Sequence, residues 1–217
     1  MVGVAEQIKE IRTHIPNGVT LVCVSKFQPV EAIQEAYEVG ERDFGESRVQ
    51  ELQRKVKLLP ADIRWHFIGH LQTNKVRDLI KLRPYLIQSV DSVHLLEAIN
   101  SEAGKQGIVQ SVLLEVHVAK EETKTGFSLD EISNIKYQIS NHQYPNISIL
   151  GFMGMATNTE DEEEIRRCFN AVRSISDRGI MSYGMSDDYR IAIECGSNMV
   201  RIGSSIFGER ENIKSPI

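Results

Sequence analysis

Short apolar runs alternate along the chain with longer segments in which apolar residues recur every three or four positions. The first run, residues 20–25, is short and rich in β-branched residues, which is typical of a buried strand. Similar runs recur toward the C-terminus, each followed by turn or helix-start residues. The predicted strands cover residues 20–25, 43–45, 64–69, 85–90, 111–118 and 147–153, with two more near Tyr183 and Val200 that end near Met185 and Ile202.

The segments between these runs carry helix signals. An apolar stripe over residues 4–15 predicts a helix before the first strand. Ser128 with Glu131, and Thr159 with Glu162, have the spacing of capping boxes at the starts of two later helices. The other predicted helices cover residues 30–39, a segment that ends at 58, residues 74–82 and residues 93–105, and the helix that starts near 159 is predicted to run through 178.

Eight predicted strands with helices between them indicate a parallel α/β fold. A closed (β/α)8 barrel, the TIM barrel, accounts for this number of strands. An open doubly wound sheet fits the alternation nearly as well. The 217 residues are fewer than the ~250 typical of such a barrel. Because no linker or repeat interrupts the pattern, we expect a single domain over residues 1–217.

Composition narrows the classes of function. Hydrophobic residues make up 41% of the chain and charged residues 25%, as in soluble globular proteins. A net charge of −5 provides no general attraction to nucleic acid or to an anionic membrane. The N-terminus is too polar for a secretory signal, and no apolar run approaches 18 residues. The widely spaced Cys23, Cys168 and Cys195 indicate reduced, mostly buried thiols in a cytoplasmic protein.

Lys26 directly follows the first predicted strand. A lysine at the mouth of a buried strand is poorly solvated, which favours the neutral amine. A neutral amine can form a Schiff base with an aldehyde. The alternative is a surface lysine whose stem packs on the protein while its charge stays in water.

The C-terminal region contains small residues suited to an anion. Gly203, Ser204 and Ser205 leave their backbone N–H groups accessible at the start of a short helix, and helix N-termini bind phosphate. The hydroxyl of Ser186 can add a hydrogen bond. An ordinary capped loop is the alternative. Neither a P-loop nor a dinucleotide-binding glycine pattern occurs. Arg201 lies two residues before Gly203 and shares its strand face, so both can point to the same site. The alternative interpretation of Arg201 is a salt bridge at the end of the barrel.

Seven segments form a joint pattern that is more specific than any one of them. They are residues 24–26, 44–46, 49–51, 65–75, 124–126, 184–188 and 199–208. Together they resemble the YggS/PROSC family, also called the pyridoxal phosphate homeostasis proteins. The resemblance extends over nearly the whole chain.

The resemblance implies a barrel similar to that of alanine racemase, with pyridoxal 5′-phosphate (PLP) as cofactor. Lys26 would form the Schiff base, and Arg201 would face the pyridine nitrogen. Ser186, Gly203 and Ser204 would hold the phosphate. A guanidinium can only donate hydrogen bonds, so it would keep the pyridine nitrogen unprotonated. An unprotonated pyridine is a weak electron sink, which limits carbanion chemistry.

The chain departs from the family pattern after Phe44-Gly45-Glu46. Ser47 stands where the family usually has Asn, and Arg48 where an aromatic residue is common. We keep Ser47 among the cofactor-binding candidates. In the family pattern this position contacts the hydroxyl of the cofactor ring, so the replacement by Ser47 affects that contact.

The resemblance implies a non-catalytic PLP carrier and regulator that acts in vitamin B6 and amino-acid homeostasis. We expect a monomer that binds PLP and PLP-dependent apo-enzymes. The alternative is a PLP-dependent amino-acid racemase, which needs a second acid/base on the opposite face of Cα. In alanine racemase this is a tyrosine from the partner subunit's additional domain. Because Ile217 closely follows the last matching segment, we expect that domain to be absent. A third interpretation is a barrel that serves only to bind a protein partner, and it predicts that PLP causes no change in absorbance.

His66 and His70 have the same parity on a predicted strand. A zinc site would need further ligands at suitable spacing, and the sequence offers none. We therefore interpret both as core or loop histidines.

Overall fold

The computed structural model describes residues 3–121, 125–140, 143–176 and 178–208. Eight parallel strands pair in chain order and close into a barrel. The strands are β1 (Thr20–Val24), β2 (Asp43–Glu46), β3 (Arg64–Phe67), β4 (Leu86–Val90), β5 (Gln110–Val116), β6 (Ile147–Gly154), β7 (Ile180–Ser182) and β8 (Met199–Ile202). Pairing of β1 with β8 closes the barrel. This excludes the open sheet and confirms the predicted (β/α)8 fold.

Helices alternate with the strands, and the first precedes β1 as predicted. They are α1 (Val4–Thr13), α2 (Val30–Glu38), α3 (Val49–Lys55), α4 (Val76–Lys81), α5 (Val93–Lys105), α6 (Leu129–Ser140), α7 (Glu162–Arg173), α8 (Tyr189–Glu194) and α9 (Ser204–Phe207). The predicted capping box before α6 is confirmed. Oε2 of Glu131 accepts from the N–H of Ser128 at 2.8 Å, and Oγ of Ser128 accepts from the N–H of Glu131 at 3.3 Å.

Two apolar layers surround the strands because successive side chains point to opposite faces. The inward layer is a small core of Val22, Leu86, Leu113, Met153 and Met199. The outward layer packs against the helices and is much larger. Since both faces are buried, most of the strands appear in the sequence as largely apolar runs, whereas β2 and β3 each contain two charged or polar side chains. A polar residue on the inward face of such a run therefore lies inside the barrel.

Three predicted strand ends are wrong by a few residues. The third strand ends at Phe67 before the predicted residue 69, the fifth ends at Val116 before the predicted residue 118, and the seventh, expected to extend toward Met185, ends at Ser182. Gly184 adopts a φ of +100°, which takes the chain out of the extended conformation. A Cβ at Gly184 would lie 2.5 Å from the Cβ of Ala192, so the turn that ends β7 requires glycine.

The predicted capping box over residues 159–162 is also wrong. Asp161 is the N-cap of α7, and its carboxylate accepts from the N–H groups of Glu163 at 3.0 Å and Glu164 at 3.5 Å. An aspartate satisfies these N–H groups and adds a favourable charge at the positive end of the helix. The helix ends at Arg173 rather than at residue 178.

The two histidines lie as interpreted. His66 is fully buried, and His70 is an exposed loop residue whose Nδ1 lies 3.2 Å from Oδ2 of Asp91. Among the described residues, no group of three His, Cys, Asp or Glu side chains is placed to hold a metal ion. None of the described helices is long and apolar enough to span a bilayer.

Candidate functional site

Five of the six predicted site residues line one cavity at the C-terminal ends of the strands. They are Lys26, Ser186, Arg201, Gly203 and Ser204, and the cavity has a volume of about 240 Å³. In (β/α)8 barrels this end of the sheet carries the functional groups. The sixth residue, Ser47, lines an adjoining groove whose wall also includes Lys26.

Lys26 lies in a turn directly after β1. Phe27 has a φ of +66°, a left-handed conformation that is uncommon for a bulky residue and needs support from its surroundings. The N–H of Phe27 donates to Oε1 of Glu51 at 2.7 Å, and the N–H of Ser25 donates to the carbonyl oxygen of Gly45 at 3.0 Å. These bonds on both sides of Lys26 fix the backbone from which its side chain extends.

Beneath this turn lies a buried group of side chains that we call the Lys55 cluster: Ser25, Glu46, Glu51 and Lys55. Nζ of Lys55 donates to the carbonyl oxygen of Ser25 at 2.8 Å and to Oε1 of Glu46 at 2.8 Å. It also donates to Oε1 of Glu51 at 2.7 Å. These bonds use all three ammonium protons. Lys55 therefore supports the turn that carries Lys26.

The Lys55 cluster depends on its cation. Burial raises the pKa of Glu46, although Lys55 and Ser25 act in the opposite direction. A buried carboxylate without its partner cation is strongly destabilising. Our sequence reasoning missed this cluster. The signal was present in the spacing of Glu51 and Lys55, four residues apart on the same helix face.

The small residues that follow β7 and those that follow β8 lie together, and we call them the turn of small residues. The N–H of Ser205 donates to Oγ of Ser186 at 3.4 Å, and Gly203 is the N-cap of α9. A Cβ at Gly203 would lie 3.2 Å from both the Cβ and the carbonyl oxygen of Val24, so a larger residue would crowd β1. The first N–H groups of a helix lack intrahelical acceptors. This turn is therefore chemically suited to an anion.

Arg201 is buried on the inward face of β8. Its Nη1 donates to the carbonyl oxygen of Ser182 at 2.8 Å and to the Oγ of the same residue at 2.7 Å. Its Nη2 donates to the carbonyl oxygen of Gly154 at 3.2 Å. Burial lowers the pKa of Arg201 to about 10, so the guanidinium remains charged at neutral pH. These partners are neutral oxygens rather than the carboxylate of a salt bridge.

Glu115 is a second buried ionisable side chain at this end of the barrel. Burial raises its pKa to about 7, against the lowering effect of a hydrogen bond from Thr125. Oγ1 of Thr125 donates to Oε1 of Glu115 at 3.2 Å. Lys124, the neighbour of Thr125 in one matching segment, lies outside the described residues. Sequence reasoning missed Glu115, although a glutamate within the apolar run of β5 was a usable signal.

We expect Glu115→Gln to flatten the pH dependence of stability. The pKa of Glu115 is raised on folding, so its stabilising contribution is complete below its unfolded value of 4.5 and is lost as pH rises through about 7. The change is on the order of 3 kcal/mol between the two limits. Urea unfolding at pH 4.5 and pH 8.5 measures it, with the exposed Glu10→Gln as the control. Equal pH slopes for wild type and Glu115→Gln would contradict this assignment.

The groove that contains Ser47 has a volume of about 550 Å³. A Cβ at Gly69 would lie 2.3 Å from the carbonyl oxygen of Ser47, so glycine allows the loops after β2 and β3 to touch. Arg48 lies beside this contact, with its guanidinium carbon 4.9 Å from the ring centre of Phe27. The residue that replaces the family's aromatic thus makes a cation–π contact next to Lys26.

Sequence comparisons relate this chain to known proteins. The family model of the alanine racemase N-terminal domain matches residues 3–211. The pyridoxal phosphate homeostasis protein of Helicobacter pylori is 39% identical over 203 residues, which cover 91% of this chain and 90% of the relative. The human protein of that name is 36% identical over 219 residues, with 90% and 78% coverage.

Solved structures give the same relationship. PipY of Synechococcus elongatus, determined without PLP, has a TM-score of 0.89 at 32% identity and covers 94% of this chain and 100% of its own. The PLP-bound form of PipY has a TM-score of 0.85, with the same identity and coverage. Alanine racemase from Clostridium difficile has a TM-score of 0.79 at 16% identity, over 97% of this chain and 58% of its own, which shows a shared fold alone.

Proposed function

The chain belongs to the family of pyridoxal phosphate homeostasis proteins, and we propose that it binds PLP in the cavity lined by Lys26 and Arg201. One observation carries this proposal. A primary amine, a turn suited to an anion and a donor-only cation line the same space of about 240 Å³. PLP presents an aldehyde, a phosphate and a pyridine nitrogen, and these three groups match that set.

Each residue has a role that follows from its chemistry. The Lys26 amine would bond covalently to the aldehyde carbon, and the aldehyde oxygen would leave as water. Ser186, Gly203 and Ser204 bind the phosphate through hydroxyl and backbone N–H groups. Arg201 donates toward the ring nitrogen and does not protonate it. When bound, the cofactor supplies an electrophilic aldehyde and an electron-accepting ring.

We assign Ser47 to the side of the ring that carries the hydroxyl, from its position in the adjoining groove. A serine hydroxyl can donate and accept a hydrogen bond, as the amide of an asparagine does. Its side chain is shorter than that of asparagine, so it reaches less far toward the cofactor.

The proposed role is that of a non-catalytic carrier and regulator in vitamin B6 and amino-acid homeostasis. Two features support it. The relatives that cover most of the chain are named homeostasis proteins, and a donor-only arginine at the ring nitrogen limits carbanion chemistry. As a carrier, the protein would pass PLP to PLP-dependent apo-enzymes.

The absorbance spectrum of the purified protein, recorded before and after addition of PLP, tests cofactor binding. We expect a new visible band, and borohydride reduction followed by peptide mapping should place the adduct on Lys26. The loaded protein should also restore activity to a PLP-dependent apo-enzyme while a phosphatase destroys free PLP. No band and no adduct in the wild-type protein would overturn the proposal.

The racemase alternative has a direct test. The loaded protein is incubated with L-alanine, and D-alanine is measured by chiral chromatography. We expect no D-alanine above the level produced by free PLP. Sustained turnover would replace the carrier role with a catalytic one while leaving the cofactor assignment intact.

A further inference from the structure

A continuous row of buried polar side chains runs through the barrel from Arg201. It consists of Ser182, Gln88, His66 and Asp43, and we call it the internal polar chain. The four residues lie on four different strands. Ser182, Gln88 and His66 are at most 1% exposed, and Asp43 is 7% exposed. The cavity lining includes Arg201 and none of these four residues, so the internal polar chain begins where the proposed cofactor site ends.

Neighbouring residues of the internal polar chain lie within hydrogen-bonding distance of one another. Arg201 Nη1 lies 2.7 Å from Oγ of Ser182, and that Oγ lies 2.6 Å from Oε1 of Gln88. Nε2 of Gln88 lies 2.9 Å from Nδ1 of His66. Nε2 of His66 lies 2.9 Å from Oδ1 of Asp43. No water is needed to complete the row.

Asp43, at the end of the internal polar chain away from Arg201, determines which group donates and which accepts in each of its hydrogen bonds. Asp43 pairs with Arg64 through two hydrogen bonds. Burial alone would raise the pKa of Asp43, but the hydrogen bonds from Arg64 and His66 lower it to about 2. Asp43 is therefore a carboxylate and can only accept. The ring nitrogen of His66 that faces it must carry a proton.

Burial lowers the pKa of His66, so the ring is neutral and carries a single proton. With that proton on Nε2, Nδ1 is an acceptor. It accepts a hydrogen bond from an amide N–H of Gln88, whose other N–H points to Sδ of Met199 at 3.3 Å. The amide oxygen of Gln88 then faces Ser182 and accepts a hydrogen bond from its hydroxyl. The lone pairs of Ser182 are left for Arg201.

We propose that the internal polar chain holds the Arg201 guanidinium in the orientation that the ring end of the cavity requires, which makes Gln88 and His66 positioning residues. Each link fixes the proton of the next, from Arg64 and Asp43 to Arg201. Hydrogen bonds in such a series polarise one another in a low-dielectric interior. This inference rests on the proposed function, because it assigns a role toward bound PLP.

Gln88→Met tests the proposal. Methionine keeps a similar volume and removes both hydrogen-bonding groups, so the hydroxyl proton of Ser182 is free to turn toward Arg201. We expect PLP affinity to fall about tenfold, with a shifted absorbance band for the bound cofactor. Gln110→Met is the matched control, because Gln110 is also buried and its Nε2 bonds only backbone oxygens. It should lower the melting temperature while leaving affinity and spectrum unchanged.

A second measurement does not depend on a variant. Nitrogen-15 NMR of the wild-type protein should show His66 as the neutral tautomer with its proton on Nε2. Addition of PLP should shift these resonances although His66 does not line the cavity. A proton on Nδ1, or a charged ring at neutral pH, would overturn the deduced direction.

The outcomes separate this inference from the proposed function. If wild-type protein binds no PLP, both fail. If wild type binds PLP and Gln88→Met binds it with the same affinity and spectrum, only the positioning role fails. If Gln88→Met does not fold, an unresponsive His66 in the NMR titration of wild type overturns the inference by itself.

Discussion

Lys26→Ala is expected to abolish the borohydride-trapped PLP adduct completely. The amine is the only group of this side chain that can bond to an aldehyde carbon, and alanine has none. The turn of Ser186, Gly203 and Ser204 remains, so the variant should still bind PLP reversibly through its phosphate. Mass spectrometry after reduction measures the adduct, and equilibrium dialysis measures the residual binding.

Two comparisons sharpen the result for Lys26→Ala. Pyridoxal, which lacks the phosphate, should lose its remaining binding to this variant, whereas PLP should not. Lys75→Ala is the matched control, because Lys75 lines the adjoining groove with Lys26, and it should retain the full adduct. Mapping of the wild-type adduct to a lysine other than Lys26 would contradict the assignment.

Lys55→Met should be the most destabilising substitution near the site. It removes the cation from the Lys55 cluster and leaves the carboxylate of Glu46 buried without its partner cation. Breaking a buried pair in this way costs about 3–5 kcal/mol. For a domain of this size the melting temperature should fall by roughly 10 °C. Calorimetry or thermal circular dichroism measures the change.

The destabilisation of Lys55→Met should depend on pH. Burial already raises the pKa of Glu46, and loss of the ammonium raises it further, so folding of the variant favours the protonated acid. The defect should therefore be small below the unfolded pKa and grow as the pH rises. Glu46→Gln combined with Lys55→Met should recover much of the loss. A defect under about 1 kcal/mol that does not vary with pH would exclude this explanation.

Loss of the Lys55 cluster should also affect the cofactor. Lys55 bonds to the carbonyl oxygen of Ser25 and, through Glu51, supports the N–H of Phe27. Both backbone groups flank Lys26. At a temperature where Lys55→Met is still folded, adduct formation with PLP should therefore be slower than in wild type. Lys105→Met changes an exposed lysine on α5 and should leave both stability and adduct formation unchanged.

Local sequence predicted most of the elements. The strands are buried on both faces, so most of their runs are largely apolar and stand out, and the residues after β1, β7 and β8 carried the signals for Lys26, Ser186 and Gly203. Element ends were less predictable. Asp161 replaced the expected capping box because its carboxylate accepts two N–H groups, and the end of β7 depended on the crowding of Gly184 against Ala192.

The internal polar chain was beyond the reach of local pattern. Ser182 and Gln88 are 94 positions apart, and Gln88 and His66 are 22 apart. Each sits in a run that predicts a strand, but no run shows which strand lies across the barrel. A polar residue on the inward face of an apolar strand is the one local sign that a partner is required.

The sequence by itself determined the alternation of strands and helices, the lysine after β1 and the small residues after β8, because periodicity, turn chemistry and side-chain size act over a few neighbouring residues. The tertiary structure decided that the sheet closes through β1 and β8. Closure creates a dry interior in which an unpaired polar group is costly. That cost is why Arg201 and Gln88 have definite partners, and those partners come from distant segments that only the closed barrel brings together.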